Sequence, residues 1–260
     1  MLDRYGRVIN YLRISVTDRC NLRCCYCMPE GVQDVGMKNI LTFEEIWEIV
    51  RTGVSLGITH IRITGGEPLV RKGCVNLIRG IREIPGVETI TMTTNGVLLG
   101  NYAKQLKEAG VSMYHENIET SEENFPNVCT THSFEDKIHE IKRIQEAGLE
   151  LCTGGIVGMG ETWKDRLSMA FTLAELGIRS IPINILIPVK GTPFGELEPM
   201  TQEDILRTVA ILRYINPKAD VRIAAGRNYF KDGGGELFLS GINAALTGNL
   251  LTTGGSSMEQ

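Results

Sequence analysis

Helix, glycine, strand is the repeating order that most constrains this chain. Thr42-x-x-Glu45 reads as a capping box, Ile46, Ile49, Val50 and Val54 share one helical face, Gly57 ends the helix, and "ITHIRIT" follows at once. The joint recurs at "EAG" 108 to 110 before "VSMYHENI", at "EAG" 146 to 148 before "LELCTGGIV", and at "LGI" 176 to 178 before "IPINILI". Helices are predicted from near Ser133, Thr162 and Thr201, each with an aspartate three residues on. Counting "YLRISV", "HIRIT", "ETITMTT", "SMYHENI", "ELCTGGIV" and "IPINILI" gives six strands, and helices between them demand parallel pairing. The last 45 residues are too irregular for two more full units, so the expected fold is α/β, a partial (β/α)6 TIM-like barrel. No linker interrupts residues 1–260, which predicts one domain with a flexible Gly/Ser-rich tail at 254–260, ending where another helix would start.

Four of the seven cysteines, Cys20, Cys24, Cys25 and Cys27, crowd one loop after the first strand. An odd count, and the lack of a basic stretch followed by an apolar run at the N-terminus, argue against a secreted disulfide scaffold and for reduced thiols in the cytoplasm. A net charge of -4 offers no footprint for nucleic acid or an anionic membrane, and no apolar run reaches the roughly 20 residues of a membrane span, so the expected partner is a small molecule. Setting Cys25 aside as a bystander leaves Cys20-x3-Cys24-x2-Cys27. Zinc would need a fourth ligand, and the nearest histidine is His60. Three thiolates suit a [4Fe-4S] cluster with one iron open to another ligand. No two of His60, His115, His132 and His139 show convincing metal-ligand spacing, and His132 and His139 read as solvated helix residues. "GGIVGMGE" lacks the Lys-Ser/Thr pair of a phosphate loop.

The C-x3-C-x-aromatic-C pattern, with Tyr26 as the aromatic, and "GGEP" at 65 to 68 after the second strand resemble the radical S-adenosylmethionine (SAM) superfamily. That resemblance implies a [4Fe-4S] cluster on Cys20, Cys24 and Cys27 whose open iron is chelated by SAM. It implies reductive cleavage of SAM to methionine and a 5′-deoxyadenosyl radical that takes hydrogen from a substrate. It also places the Tyr26 backbone near adenine and gives Gly65, Gly66 and Glu67 to the methionyl amine.

Within the superfamily the resemblance divides. Residues 1 to about 99, with "YLRISVTDRCNLRCCYC", "IRITGGEPLVRKG" and "TTNGVLL", resemble the GTP 3′,8-cyclase of molybdopterin synthesis. From about 104, "HENIETS", "ELCTGGIVGMGET", "PINILIPVKGTPF", "VRIAAGRN" and "GNLLTT" are similar to biotin synthase, which predicts a chimera with its seam near 98–104. The cyclase holds a second cluster on C-terminal cysteines, and the last cysteine here is Cys152, which argues against GTP cyclisation. The biotin synthase resemblance implies sulfur insertion into C–H bonds of dethiobiotin and a second iron-sulfur cluster, with Cys152 and Arg227 at two of its ligand positions. The other two positions fall in "RITGGEP" and "MTTNG", which hold no cysteine; Cys74 and Cys129 are substitutes if they are not inert. It further implies Asn117 and Glu119, alternating on one strand, for the SAM ribose and the substrate, with glutamate standing where the family has aspartate. Ile156 and Val157 would pack on adenine, Asn184 would bond the ureido ring, and Thr252 and Thr253 would lie near the substrate carboxylate. An electron donor such as flavodoxin or ferredoxin and a homodimer complete the expectation. Two alternatives stand beside it: cyclisation of GTP, and an iron-sulfur scaffold without turnover.

Overall fold

Helix α1, Phe43–Ser55, starts at the capping box the sequence announces: the Thr42 side chain accepts from the Glu45 amide and the Glu45 carboxylate accepts from the Thr42 amide. It belongs to a computed structural model that describes residues 8–27, 36 and 39–246. The chain divides into two compact units, the first built from Met1–Asn21, Gln33–Glu116 and His139–Leu151, the second from Leu22–Val32, Asn117–Ile138 and Cys152–Gln260.

The first unit carries β1 (Tyr11–Ser15), β2 (His60–Thr64), β3 (Thr89–Thr93) and β4 (Val111–His115), paired in that order and all parallel. Helices α1, α2 (Cys74–Arg82) and α3 (Leu99–Glu108) fill the crossovers. One face of the sheet is apolar, with Ile14, Ile61, Ile63, Ile90 and Met92 buried, while the other carries arginine, histidine and threonine. The second unit holds the short helix α4 (Phe125–Val128), and the chain crosses between units within helix α5 (Phe134–Glu146) and strand β5 (Glu150–Cys152). There β6 (Gly155–Val157), β7 (Ser180–Ile185), β8 (Asp220–Ala225) and the two-residue β9 (Ala244–Ala245) are again parallel, β7 pairing with both β6 and β8. Helices α6 (Trp163–Glu175), α7 (Gln202–Ile215) and α8 (Gly235–Ser240) alternate with them. Helices α6 and α7 start at their expected Thr162 and Thr201 caps.

All six expected strands are present, with three differences. "ELCTGGIV" is two strands, because the chain steps aside at Thr153-Gly154, where a Cβ on Gly154 would stand 1.8 Å from the Pro182 carbonyl oxygen. "VRIAAG", read as irregular, forms β8. The fourth strand stops at His115, so Asn117 and Glu119 lie beyond it rather than alternating along it. No helix among the described residues is long and apolar enough to cross a membrane.

Candidate cofactor site

In the first unit the loop that follows β1 is zipped to the turn that follows β2. The amide of Gly66 donates to the Thr17 carbonyl and that of Glu67 to the Arg19 carbonyl, each at 2.8 Å, so the parallel ladder continues past the strand ends. Glycine is required at both turn positions by this approach: a Cβ would come within 2.6 Å of the Thr17 oxygen at Gly65 and 2.4 Å of the Arg19 oxygen at Gly66. Arg71 holds the same loop from the other side, donating to the carbonyls of Val16 at 2.7 Å and Leu41 at 2.6 Å while its guanidinium lies over the Phe43 ring.

Glu67 is fully buried, and its carboxylate is heavily committed. It accepts from the Thr94 hydroxyl at 2.9 and 3.0 Å, the Asn95 amide at 2.7 Å and the Leu69 amide at 2.9 Å. In this arrangement the carboxylate braces the loops after β2 and β3. Asn95, which sequence reasoning passed over, turns its Nδ2 toward Cys20 Sγ at 3.7 Å and donates to Asn21 Oδ1 at 2.8 Å.

In the second unit Cys24, Cys25, Tyr26 and Cys27 form a turn closed by the Cys27 amide on the Cys24 carbonyl at 3.1 Å. Cys24 and Tyr26 pack on an apolar cluster of Phe125, Val128, Cys129, Ile156, Met159 and Leu186. The Cys24 and Cys129 thiols share a hydrogen bond that holds Cys24 below the ordinary thiol range and pushes Cys129 up. Burial raises both the Tyr26 phenol and the Glu119 carboxyl, which hydrogen-bond each other; the buried Lys137 and a hydrogen bond from Asn117 oppose the rise at Glu119. Glu119 is the one non-glycine residue among those described with a positive φ, 66°. Its carbonyl accepts from the Ile156 amide at 2.8 Å, and a Cβ at Gly155 would stand 2.7 Å from that oxygen.

Several expected site residues come together and others do not. Ile156 and Asn184 are register partners on β6 and β7 and share a face, with Tyr26 packed on the same cluster as Ile156. Val157, the next residue along, points to the opposite face and is fully buried. Cys152 is buried at the end of β5 opposite Ser180 of β7. Arg227 spends its guanidinium on the carbonyls of Gly233 and Leu246; Arg222, not Arg227, reaches the Ser180 hydroxyl. Alternation along β8 is the signal that would have found Arg222, once that segment was read as a strand. Lys137 was legible as a lysine in line with Ile141 and Ile144 on the buried face of α5. His132 is no solvated helix residue: it precedes α5 with its ring edge-on to Phe125, whereas His139 is exposed on the helix. Thr252 and Thr253, and the tail 254–260, lie outside the described residues.

The donor set fits an iron-sulfur cluster in kind: all seven cysteines are thiols rather than disulfides. Among the described residues, however, no three His, Cys, Asp or Glu side chains are grouped to hold a metal ion. The second unit also fits a polar ligand. Asn117 Oδ1, Glu119 Oε2, Thr153 Oγ1 and Arg222 Nε are buried with no hydrogen-bond partner among the described residues, a state that a bound group would relieve.

Comparison with known proteins bears on the same residues. Residues 14–173 match the radical SAM superfamily model, and residues 182–260 match the biotin and thiamin synthesis associated domain. A biotin synthase of Clostridium beijerinckii is 46% identical over 243 residues, 92% of this chain and 77% of the relative. Another, of Alkaliphilus metalliredigens, is 44% identical over 261 residues, 98% of this chain and 82% of the relative. Among solved structures, methylornithine synthase (PylB) superposes with a TM-score of 0.76 at 18% identity, over 98% of this chain and 77% of its own. The hydrogenase maturase HydG from Carboxydothermus hydrogenoformans gives 0.71 at 18% identity, over 91% and 58%. Those likenesses speak for the fold alone, and bear out the α/β half-barrel of parallel strands. The expected change of family near 98–104 finds no support, since one superfamily match crosses that segment and one kind of relative covers nearly the whole chain. From its cysteine loop to its last strands, this chain belongs to the radical SAM superfamily of enzymes and, within it, to the biotin synthase family.

Proposed function

We propose that this enzyme converts dethiobiotin to biotin by inserting sulfur at C–H bonds. The observation that carries this reading is the match to biotin synthases through 98% of the chain, which takes in the cysteine loop and the strand ends that follow it. Cys20, Cys24 and Cys27 would hold the [4Fe-4S] cluster, the backbone of Tyr26, Gly65 and Gly66 would line SAM, and Ile156 would lie against adenine. When bound, cluster and SAM supply one-electron cleavage and the hydrogen-abstracting radical. The chain's own residues bind and orient. Asn117 and Glu119 offer buried polar atoms to the ribose and substrate, and Asn184, whose Nδ2 lies 3.5 Å from the Gly155 carbonyl, offers its amide to the ureido group. Thr252 and Thr253 are assigned to the substrate carboxylate. Reduction calls for an electron donor of flavodoxin or ferredoxin type. One barrel domain spanning 1–260, a homodimer and a cytoplasmic location belong to the same proposal.

For the second cluster Cys152 is one cysteine in place, with Arg227 committed elsewhere. That observation favours a second reading, an iron-sulfur scaffold without turnover. Nothing in the geometry favours GTP cyclisation. Anaerobic reconstitution followed by iron and sulfide analysis and a product assay for biotin separates the two. Biotin formed from dethiobiotin supports the first reading; about four irons per chain with no biotin and no SAM cleavage supports the scaffold.

A further inference from the structure

The half-buried side chain of Asn95 is fixed in direction from both ends. The loop that follows β3 hangs from the Glu67 carboxylate, which accepts from the Thr94 hydroxyl and, at 2.7 Å, from the Asn95 amide. Asn95 Oδ1 accepts in turn from the Val97 amide at 3.1 Å, an Asx turn written in "NGV". With the oxygen held by a backbone donor, the Nδ2 end has to point away from that turn. It donates to Asn21 Oδ1 at 2.8 Å and lies 3.7 Å from Cys20 Sγ, within reach of a hydrogen bond to sulfur. The amide has a hydrogen for each acceptor. Glu67, Asn95, Cys20 and Asn21 all belong to the first unit.

An N–H aimed at a cysteine sulfur has a definite effect when that sulfur ligates a cluster. Reduction makes the cluster and its thiolates more negative, so a donor stabilises the reduced state more than the oxidised one and raises the potential. Reductive cleavage of SAM begins with that electron, which puts Asn95 on the path of the reaction without touching the substrate.

We infer that Asn95 is a positioning residue for the cluster, donating a hydrogen bond to the Cys20 sulfur that raises the cluster's reduction potential. This rests on Cys20 being a cluster ligand, and the arms of the test separate the two. The full chain with its cluster reconstituted is poised at a series of potentials without SAM, and the reduced cluster is counted by EPR, for wild type, Asn95→Asp and Asn95→Ala. Asn95→Asp keeps the acceptor for the Val97 amide and removes the donor; Asn95→Ala removes both. At a fixed potential the ratio of reduced to oxidised cluster in Asn95→Asp is expected to be about tenfold below wild type, about 59 mV for one electron, with iron content unchanged. Asn95→Ala falls less far, because it brings no negative charge. A potential that stays or rises in both variants overturns the role of Asn95. If the variants take up no iron, the wild type decides: with heavy nitrogen in its asparagine side-chain amides, pulsed EPR of the reduced cluster is expected to show a coupling to that nitrogen, and its absence overturns the hydrogen bond. Iron retained in Cys20→Ala overturns the ligand assignment and this inference together, whereas iron lost in Cys20→Ala with the potential unmoved in the Asn95 variants overturns the inference alone.

Discussion

At the scale of single residues the site depends on groups that are saturated rather than poised. Glu67 is the clearest case. Thr94, Asn95 and Leu69 all donate to it, so Glu67→Gln places an NH2 against donors and is expected to cost about 1–3 kcal/mol in urea unfolding, with poorer iron uptake alongside. An unchanged midpoint would remove its bracing role. "GGEP" is conspicuous in the sequence, but its hydrogen bonds reach Thr17 and Arg19 on one side and Thr94 and Asn95 on the other, which no local pattern displays. His132 carries a pH prediction. Burial and the nearby Lys137 lower its pKa to about 4 from the model-peptide 6.5, so the unfolded chain takes up its proton first. Its contribution is full above about pH 6.5 and is lost as pH falls toward 4. His132→Gln should flatten the acid limb of the stability curve in that window, and an unaltered limb would contradict the burial argument.

At the scale of elements, end signals were legible and interruptions were not. Thr42, Thr162 and Thr201 all cap the helices they were expected to cap, the first two through full capping boxes, because an N-cap is a device of about four residues written locally. Thr162→Ala should cost about 1 kcal/mol in chemical denaturation. Gly154→Ala should cost about 3 kcal/mol or more, since its Cβ would collide with the Pro182 backbone. A reversed order of these two variants would argue against the close approach of the strands. That approach, the halt of β4 at His115 and the pairing of Arg13 with Arg62 arise from strands distant in sequence. Periodicity tells which side of a strand a residue occupies, but only register tells which residue lies beside it.

At the scale of the whole molecule, the parallel α/β pattern and the cysteine loop were readable because both repeat short, physically constrained units. The radical SAM and biotin synthase resemblances read from the sequence held, while the comparisons removed the apparent cyclase half and the seam. Cys20→Ala, Cys24→Ala and Cys27→Ala should each abolish reconstitution of the cluster, while Cys25→Ala retains it; iron analysis with absorbance near the cluster's charge-transfer band reads the difference. Loss in Cys25→Ala equal to that in the other three would refute the ligand assignment. The most direct test of radical SAM chemistry on dethiobiotin is the yield of 5′-deoxyadenosine from the anaerobically reconstituted enzyme with dithionite and SAM, measured with and without dethiobiotin. Formation that rises with dethiobiotin is expected. A fully reconstituted cluster that yields no 5′-deoxyadenosine in either case would contradict it.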